Sequence, residues 1–319
     1  MFFCFLFEPV YDMMVKQGKR ERGEAMERIR LSREGAEAVV CTRGGEMVSC
    51  RTAEGRELLW QADPRVWDQS APILFPVCGV VKDGVIRIGG KPFPMPMHGF
   101  AQGADFQLLR KGEGFVELGL FPTEKIRACY PFNFAFHVTH TLNRNGYRTD
   151  FLVQNHSDQP MPFCVGGHPG IICPMEAGAA FEDYDLVFPE REDGWNTRVL
   201  PGGFAGGGEV LQCLKEEGRI PLDHTWFDEK DTLLLTHLRS RSVQLRHRVS
   251  GHGIQMDFPN MEVLAVWSKP GAGANYVCLE PWHGLPDPPE TDGCFEQKAF
   301  VTVLAKEEAW QASFEIRTI

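Results

Sequence analysis

FAFHVTHTLNRNGYRTDFLV, residues 134–153, decides the fold class of this chain. Its first half alternates apolar and polar side chains, which is the period of a strand with one buried face. Asn145-Gly146 then favours a tight turn, and residues 147–153 resume the strand pattern. The segment therefore predicts a β-hairpin.

Short strands and turns recur along the rest of the chain. A second hairpin is predicted around Gly89-Gly90, within residues 84–91. Further strands are predicted at 233–237, 242–246, 254–258 and 263–267. Many short strands at even spacing are typical of a large antiparallel sandwich or barrel, so the predicted class is all-β.

Two segments depart from the strand pattern. Residues 122–129 predict one short helix with Thr123 as its N-cap. The glycines at 202–203 and 206–208 predict a flexible loop, because strand patterning resumes on both sides of them. We therefore expect a single domain over residues 26–319.

Composition excludes several function classes. The 319 residues carry a net charge of −10 with no basic cluster in the body of the chain, which argues against nucleic-acid binding. No stretch approaches about 18 apolar residues, so no membrane span is predicted. The ten cysteines include no C-x-x-C pair, and Cys78, Cys164, Cys173 and Cys278 lie among apolar residues, as reduced core cysteines do. We therefore expect a reducing, cytoplasmic setting.

The first 25 residues do not fit the body of the chain. Their apolar opening, Met1 to Phe7, lacks the basic region and the cleavage site of a signal peptide. We interpret residues 1–25 as an N-terminal extension, either disordered or vestigial.

The segment YVCLEPWHG, residues 276–284, carries a carboxylate into a Pro-Trp-x-Gly sequence. Pro281 disfavours the α region for Glu280, so we expect the strand to end at that glutamate. Glu280 is then either a paired, buried charge or a general base.

His168 follows paired glycines and precedes Pro169, so a proline restrains it as Pro281 restrains Glu280. The two residues are either unrelated strand ends or a preorganised acid–base pair. His98 follows a Pro-rich approach and precedes Gly99, which places it on a loop.

Six segments in order resemble the aldose 1-epimerase (galactose mutarotase-like) family, in particular its LacX-type branch. They are Trp60-Gln61-Ala62-Asp63-Pro64 with Trp67, Ala71-Pro72-Ile73-Leu74-Phe75-Pro76, His98-Gly99-Phe100-Ala101, Gly166-Gly167-His168-Pro169, Trp267-Ser268-Lys269-Pro270-Gly271, and Glu280-Pro281-Trp282 with Gly284. The resemblance covers the chain from about Met26 to its end and implies a large antiparallel β-supersandwich.

The resemblance also implies roles for individual residues. His168 matches the general acid, Glu280 the general base, and His98 a residue that binds and orients the sugar. Asp231 is the candidate for an aspartate that contacts sugar hydroxyls. Trp282 and Trp267 are each either a ring that stacks on a sugar face or a core residue.

Two departures from the branch pattern concern its arginines. Val80 and Gln102 stand where the branch usually has arginine. Gln102 is therefore a candidate sugar contact, while phosphosugars become doubtful substrates.

The implied activity is a cofactor-independent interconversion of aldose anomers, with no metal, a small sugar as the partner, and a monomer or homodimer as the assembly. The alternative is a carbohydrate-binding or regulatory protein of the same fold with little turnover. A sandwich-fold metalloenzyme using His98 and His168 is a further alternative, but the sequence lacks a convincing carboxylate–histidine ligand set.

Overall fold

The computed structural model describes residues 27–319, so the proposed extension over residues 1–25 lies outside the described part of the chain. Strands dominate these residues. The first twelve are β1 (Arg28–Arg33), β2 (Ala36–Cys41), β3 (Met47–Arg51), β4 (Ile73–Leu74), β5 (Val85–Ile88), β6 (Lys91–Pro94), β7 (Gln107–Gly112), β8 (Phe115–Leu120), β9 (Phe134–Asn143), β10 (Gly146–Asn155), β11 (Met161–Phe163) and β12 (Val165–Gly167).

The second twelve strands follow in chain order. They are β13 (Gly170–Ile172), β14 (Tyr184–Val187), β15 (Trp195–Leu200), β16 (Phe204–Val210), β17 (Arg219–Pro221), β18 (Thr232–Leu235), β19 (Ser242–His247), β20 (Gly253–Asp257), β21 (Val263–Trp267), β22 (Tyr276–His283), β23 (Thr302–Leu304) and β24 (Ala309–Thr318). The α-helices are short: α1 (Glu124–Cys129), α2 (Gln212–Glu217) and α3 (Thr225–Lys230).

Two large antiparallel sheets organise these strands. One sheet has nine strands in the order β17-β14-β19-β20-β24-β10-β9-β8-β7. The other has the order β16-β15-β18-β21-β22-β12-β4, and β13 also pairs with β22. Smaller sheets join β1-β2-β3, β5-β6 and β11-β23.

The two large sheets pack face to face across one hydrophobic core. Phe75, which follows β4, stacks on Phe136 of β9 with 4.5 Å between ring centroids. A Cβ atom on Gly167 of β12 would lie 2.6 Å from the ring of Phe314 on β24, so the backbone of one sheet lies directly against the other. The all-β sandwich expected from the sequence is therefore confirmed.

Local predictions with strong turn or capping signals are confirmed. β9 and β10 form the expected hairpin, with Asn143 paired to Gly146. β5 and β6 form the second hairpin around Gly89-Gly90. The Thr123 hydroxyl caps α1 by accepting from the Ile126 N–H at 3.2 Å.

The glycine-rich segment was predicted as a flexible loop, and that prediction is wrong for residues 204–210. These residues form β16, which pairs with β15. A Cβ atom on Gly208 would lie 1.9 Å from the indole of Trp195. A Cβ atom on Gly206 would lie 2.8 Å from the side chain of Leu200. The glycines thus permit close packing within a strand.

The expected strand end at Glu280 is also wrong, because β22 continues through Pro281 to His283. β12 and β13 pair with this strand only at residues 282–283 and 276–278. Pro281 therefore lies where the ladder on that side is already interrupted, and a residue without an N–H is tolerated there.

No helix among residues 27–319 is long and apolar enough to cross a membrane.

Gly166 of β12 makes the closest approach in the segment that leads to His168. A Cβ atom there would lie 2.5 Å from the Trp282 ring and 3.3 Å from the Cys78 sulfur. We expect Gly166→Ala to lower the free energy of unfolding by about 1–3 kcal/mol, because an extra methyl group overpacks a buried site. Urea unfolding measures this change.

Gly103→Ala is the matched control, because a Cβ atom on Gly103 meets no atom within 4 Å. Its effect on unfolding should stay within about 0.5 kcal/mol. Equal effects of the two substitutions would contradict the packing argument.

Candidate active site

The central strand β22 separates the core of the molecule from the candidate site. Successive side chains of a strand point to opposite faces. Val277 and Leu279 join the main core, whereas Tyr276 and Cys278 belong to a separate small cluster with Trp60, Val66, Trp67 and Trp267. Glu280 shares the parity of Tyr276 and Cys278, so its carboxyl lies on the face that carries this second cluster.

The strand register brings His168 to Glu280. β12 pairs Gly166 with Trp282, and β13 pairs Gly170 with Cys278. Both pairs have the same register, so residue 168, between the two short strands, lies directly opposite residue 280. The His168 Nε2 atom is 3.1 Å from the Glu280 Oε2 atom, and the two side chains are 11% and 1% exposed.

Aromatic rings enclose the histidine of this pair. The ring centroid of Trp67 lies 5.1 Å from that of His168, and the centroid of Trp267 lies 5.7 Å from it. Tyr276 stacks on Trp67 at 5.3 Å. Gly170 permits this arrangement, because a Cβ atom there would lie 2.8 Å from the Trp67 ring.

His98 reaches the same site from a loop. Its ring centroid lies 5.6 Å from that of His168 and 5.7 Å from that of Trp282. The loop is anchored to Gly79: the His98 N–H donates to the Gly79 carbonyl at 2.9 Å, and the Gly79 N–H donates to His98 Nδ1 at 3.1 Å. His98 has a φ of 64°, a conformation that non-glycine residues adopt rarely and that recurs at functional sites.

These contacts fix the protonation of His98. Burial lowers its pKa to about 4, so the ring is neutral at pH 7. Since Nδ1 accepts a hydrogen bond, the single ring proton resides on Nε2. His98 is therefore a neutral donor through Nε2.

Burial pushes both members of the His168–Glu280 pair towards their neutral forms. Desolvation raises the pKa of Glu280, and the charge of Asp231 adds to that effect. Desolvation also lowers the pKa of His168. Burial therefore favours a carboxylic acid beside a neutral imidazole over two charged groups.

Several polar atoms near this pair lack a hydrogen-bond partner within the described part of the chain. They are His168 Nδ1, Glu280 Oε2, Trp282 Nε1 and the Tyr276 hydroxyl. Buried polar atoms are nearly always satisfied, and unsatisfied ones concentrate at functional sites. A polar ligand would find donors and acceptors here.

Comparison with known proteins agrees with this architecture. A family profile described as Aldose 1-epimerase matches residues 27–292. The chain belongs to the aldose 1-epimerase family. It is 34% identical over 282 residues to the chromosomal LacX protein of Lactococcus lactis subsp. lactis, an alignment that covers 86% of this chain and 94% of that relative.

Solved structures show the same fold as this family member. A galactose mutarotase-like protein from Lactobacillus casei superposes with a TM-score of 0.86 at 27% identity, covering 92% of this chain and all of that one. A galactose mutarotase related enzyme from Lactobacillus acidophilus gives 0.84 at 28% identity, covering 92% of this chain and 97% of that one.

The other predicted sugar contacts of this family member take different positions. Trp282 lies two residues beyond Glu280 on β22, beside His98. Asp231 precedes β18, has a φ of 63°, and accepts from the Thr232 hydroxyl at 2.8 Å. The negative charge of Asp231 contributes to the raised pKa of Glu280.

Gln102 ties two loops of the site together. Its amide accepts from the Gln69 side chain at 3.2 Å and donates to the Met97 carbonyl at 3.2 Å. Gln69 follows Trp67 closely, and Met97 precedes His98. Gln102 therefore links the loop that carries Trp67 to the loop that carries His98.

Sequence reasoning missed Cys278 as a site residue and interpreted it as core. Its sulfur, the imidazole of His168 and the carboxylate of Glu280 offer ligand atoms that all lie within 4.8 Å of one another. These three side chains are the ones in this site that could hold a metal ion. The strand periodicity could have predicted this placement, because Cys278 and Glu280 are two residues apart and therefore lie on the same face of the strand.

We predict that Glu280→Gln stabilises the protein increasingly as pH rises above about 4.5, the ordinary value for glutamate. The raised pKa of Glu280 means that the unfolded chain releases this proton first. Wild-type stability is therefore lost as pH rises towards the folded-state pKa, by about 1.4 kcal/mol per pH unit in that range. Denaturant unfolding at several pH values measures the difference.

Glu117→Gln is a control of opposite sign. Its hydrogen bond with His137 lowers the pKa of Glu117, so the wild-type carboxylate stabilises the protein at neutral pH and that contribution is lost as pH falls. A Glu280→Gln effect that is constant with pH would show that this carboxyl is not held neutral by burial.

Proposed function

We propose that this protein is a cofactor-independent aldose 1-epimerase that interconverts the α and β anomers of an aldose. The observation that carries the proposal is the directly opposed, buried pair of His168 and Glu280, 3.1 Å apart. Family membership agrees with it, because a ring-opening epimerase needs one group that accepts a proton and one that donates a proton.

The reaction assigns one role to each member of the pair. Glu280, as carboxylate, removes the proton of the C1 hydroxyl. His168, as imidazolium, donates a proton to the ring oxygen, and the C1–O5 bond breaks to give the open-chain aldehyde. Rotation about the C1–C2 bond and the reverse proton transfers close the ring to the other anomer.

The resting pair already contains the proton that this mechanism needs. A carboxylic acid with a neutral imidazole and a carboxylate with an imidazolium hold the same number of protons, so conversion is a transfer within the pair. A sugar hydroxyl that donates to the carboxylate favours its ionised form. Substrate binding therefore produces the active charge distribution without exchange with solvent.

The surrounding residues suit a neutral sugar. His98 would donate through Nε2 to a sugar oxygen, and the partly buried rings of Trp67 and Trp267 offer apolar surfaces for the C–H faces of a pyranose. Val80 and Gln102 occupy the positions of the branch arginines. Since arginine is the preferred phosphate ligand, we propose an unphosphorylated aldose as the substrate.

We predict that Glu280→Gln and His168→Asn each lower kcat by about 10²–10⁴-fold, because each removes one group of a general acid–base pair. Magnetisation-transfer NMR measures anomer exchange on neutral aldoses and hexose 6-phosphates. Glu117→Gln and His137→Asn are matched controls, because they change a Glu–His pair at 2.8 Å on β8 and β9. Their kcat should equal that of wild type.

The same experiment tests the alternative of a sugar-binding or regulatory protein. Saturable sugar binding by folded wild type, without accelerated exchange on any sugar of the panel, would reject the epimerase and favour that alternative.

We also predict a bell-shaped pH dependence of kcat/KM, because the pair is active only with a single proton. Burial lowers the pKa of His168 and raises that of Glu280. Protonation of His168 therefore sets the acid limb of the profile, at a pH below 6.5. Deprotonation of Glu280 sets the alkaline limb.

Infrared difference spectroscopy of wild type against Glu280→Gln checks this assignment. At neutral pH the free wild-type protein should show the band of a protonated carboxylic acid that the variant lacks, and saturating sugar should weaken it. A carboxylate band in the free protein would reverse the assignment of the two limbs.

A further inference from the structure

Cys278 completes a group of three potential metal ligands around the proposed catalytic pair. It lies two residues before Glu280 on β22, opposite Gly170, and therefore next to His168 in the register. Its thiol, the imidazole and the carboxylate place their ligand atoms within 4.8 Å of one another, and all three side chains are buried. Among residues 27–319, this is the one such group of three histidine, cysteine or acidic side chains.

The donor set indicates which cations suit the site. One nitrogen, one sulfur and one oxygen donor favour Zn²⁺ and related thiophilic ions over Mg²⁺ or Ca²⁺, which prefer oxygen. Bonds of about 2.0–2.3 Å to a tetrahedral zinc separate its ligands by about 3.5 Å. The nitrogen–oxygen separation of 3.1 Å is already close to this value, and the Cys278 sulfur lies within 4.8 Å of both atoms.

A second observation points to a ligand at the same place. Glu280 Oε2, on a side chain that is 1% exposed, has no hydrogen-bond partner, and neither has His168 Nδ1. A bound cation would take the oxygen lone pair. The unpartnered Nδ1 lacks the outer hydrogen bond that usually orients a zinc-bound histidine, which favours reversible binding over a permanently held ion.

We propose that His168, Cys278 and Glu280 form a site for one thiophilic divalent cation, and that the cation inhibits the acid–base pair. Binding transfers the thiol proton and the carboxyl proton of Glu280 to solvent, and the metal takes up the lone pairs of sulfur, nitrogen and oxygen. The metal then occupies the groups that would exchange protons with the sugar. This inhibition rests on the proposed function, whereas binding of the ion does not.

Co²⁺ is the first probe, because its visible spectrum reports coordination number and its thiolate charge-transfer band reports a cysteine ligand. We expect one Co²⁺ per chain, with a thiolate band that Zn²⁺ displaces. Cys278→Ser should lose the band and weaken Zn²⁺ binding at least tenfold, since changing even an outer-shell partner of a metal ligand costs about 10–100-fold. Glu280→Gln should weaken binding while keeping the thiolate band.

Two variants control for other ligands on the molecule. Cys213→Ser removes a thiol that is more exposed than Cys278, and His252→Asn removes a histidine that lies 3.1 Å from Glu176 on the surface. Both should bind Co²⁺ like wild type. A band that persists in a folded Cys278→Ser protein, or that disappears in Cys213→Ser, would overturn the assignment.

The inhibition is measured as the ratio of anomer exchange rates with and without Zn²⁺ for each variant. In wild type we expect Zn²⁺ to slow exchange at least tenfold and EDTA to restore it, whereas Cys278→Ser should give a ratio near one at the same concentration. Active protein that shows neither the cobalt band nor inhibition would reject the metal site. A cobalt band in protein that accelerates no exchange would reject the proposed function and leave the metal site.

Discussion

The opposition of His168 and Glu280 across neighbouring strands is the contact on which the rest of the site depends. A charge on either side chain, taken out of water, costs several kcal/mol unless it is paired and hydrogen-bonded. The register leaves each group with the other as its neighbour at 3.1 Å, so one proton between them avoids an isolated buried charge. The enclosing rings strengthen this effect, because they exclude the water that would stabilise separate charges.

The strands hold His168 opposite Glu280, and a loop adds His98 beside the pair. β22 has partners on both sides, and its opposite face is fixed by Val277 and Leu279 in the core. The loop around His98 instead depends on a left-handed residue held by two hydrogen bonds to Gly79. Its strain is offset by the strand-anchored structure around it, which is how sandwiches place functional loops.

Sequence reasoning reached those features whose signals are local. The turn at Asn145-Gly146 and the cap at Thr123 each constrain the backbone within a few residues. It failed where partners distant in sequence decide the structure. The glycines of β16 accommodate Trp195 and Leu200, and β22 continues past Glu280 because of how β12 and β13 pair with it. The site role of Cys278 likewise emerges only from the register with Gly170.

The direct contact between His168 and Glu280 sets a condition for the proposed substrate. A sugar that engages both groups must replace the direct contact between them, and the energy for this must come from interactions elsewhere on the ligand. The Nε2–H of His98 and the indole faces are placed to supply it, because they lie around the pair and do not depend on its protonation. In the proposed reaction, discrimination between sugars therefore falls to these surrounding groups, while the pair itself needs only a C1 hydroxyl and a ring oxygen.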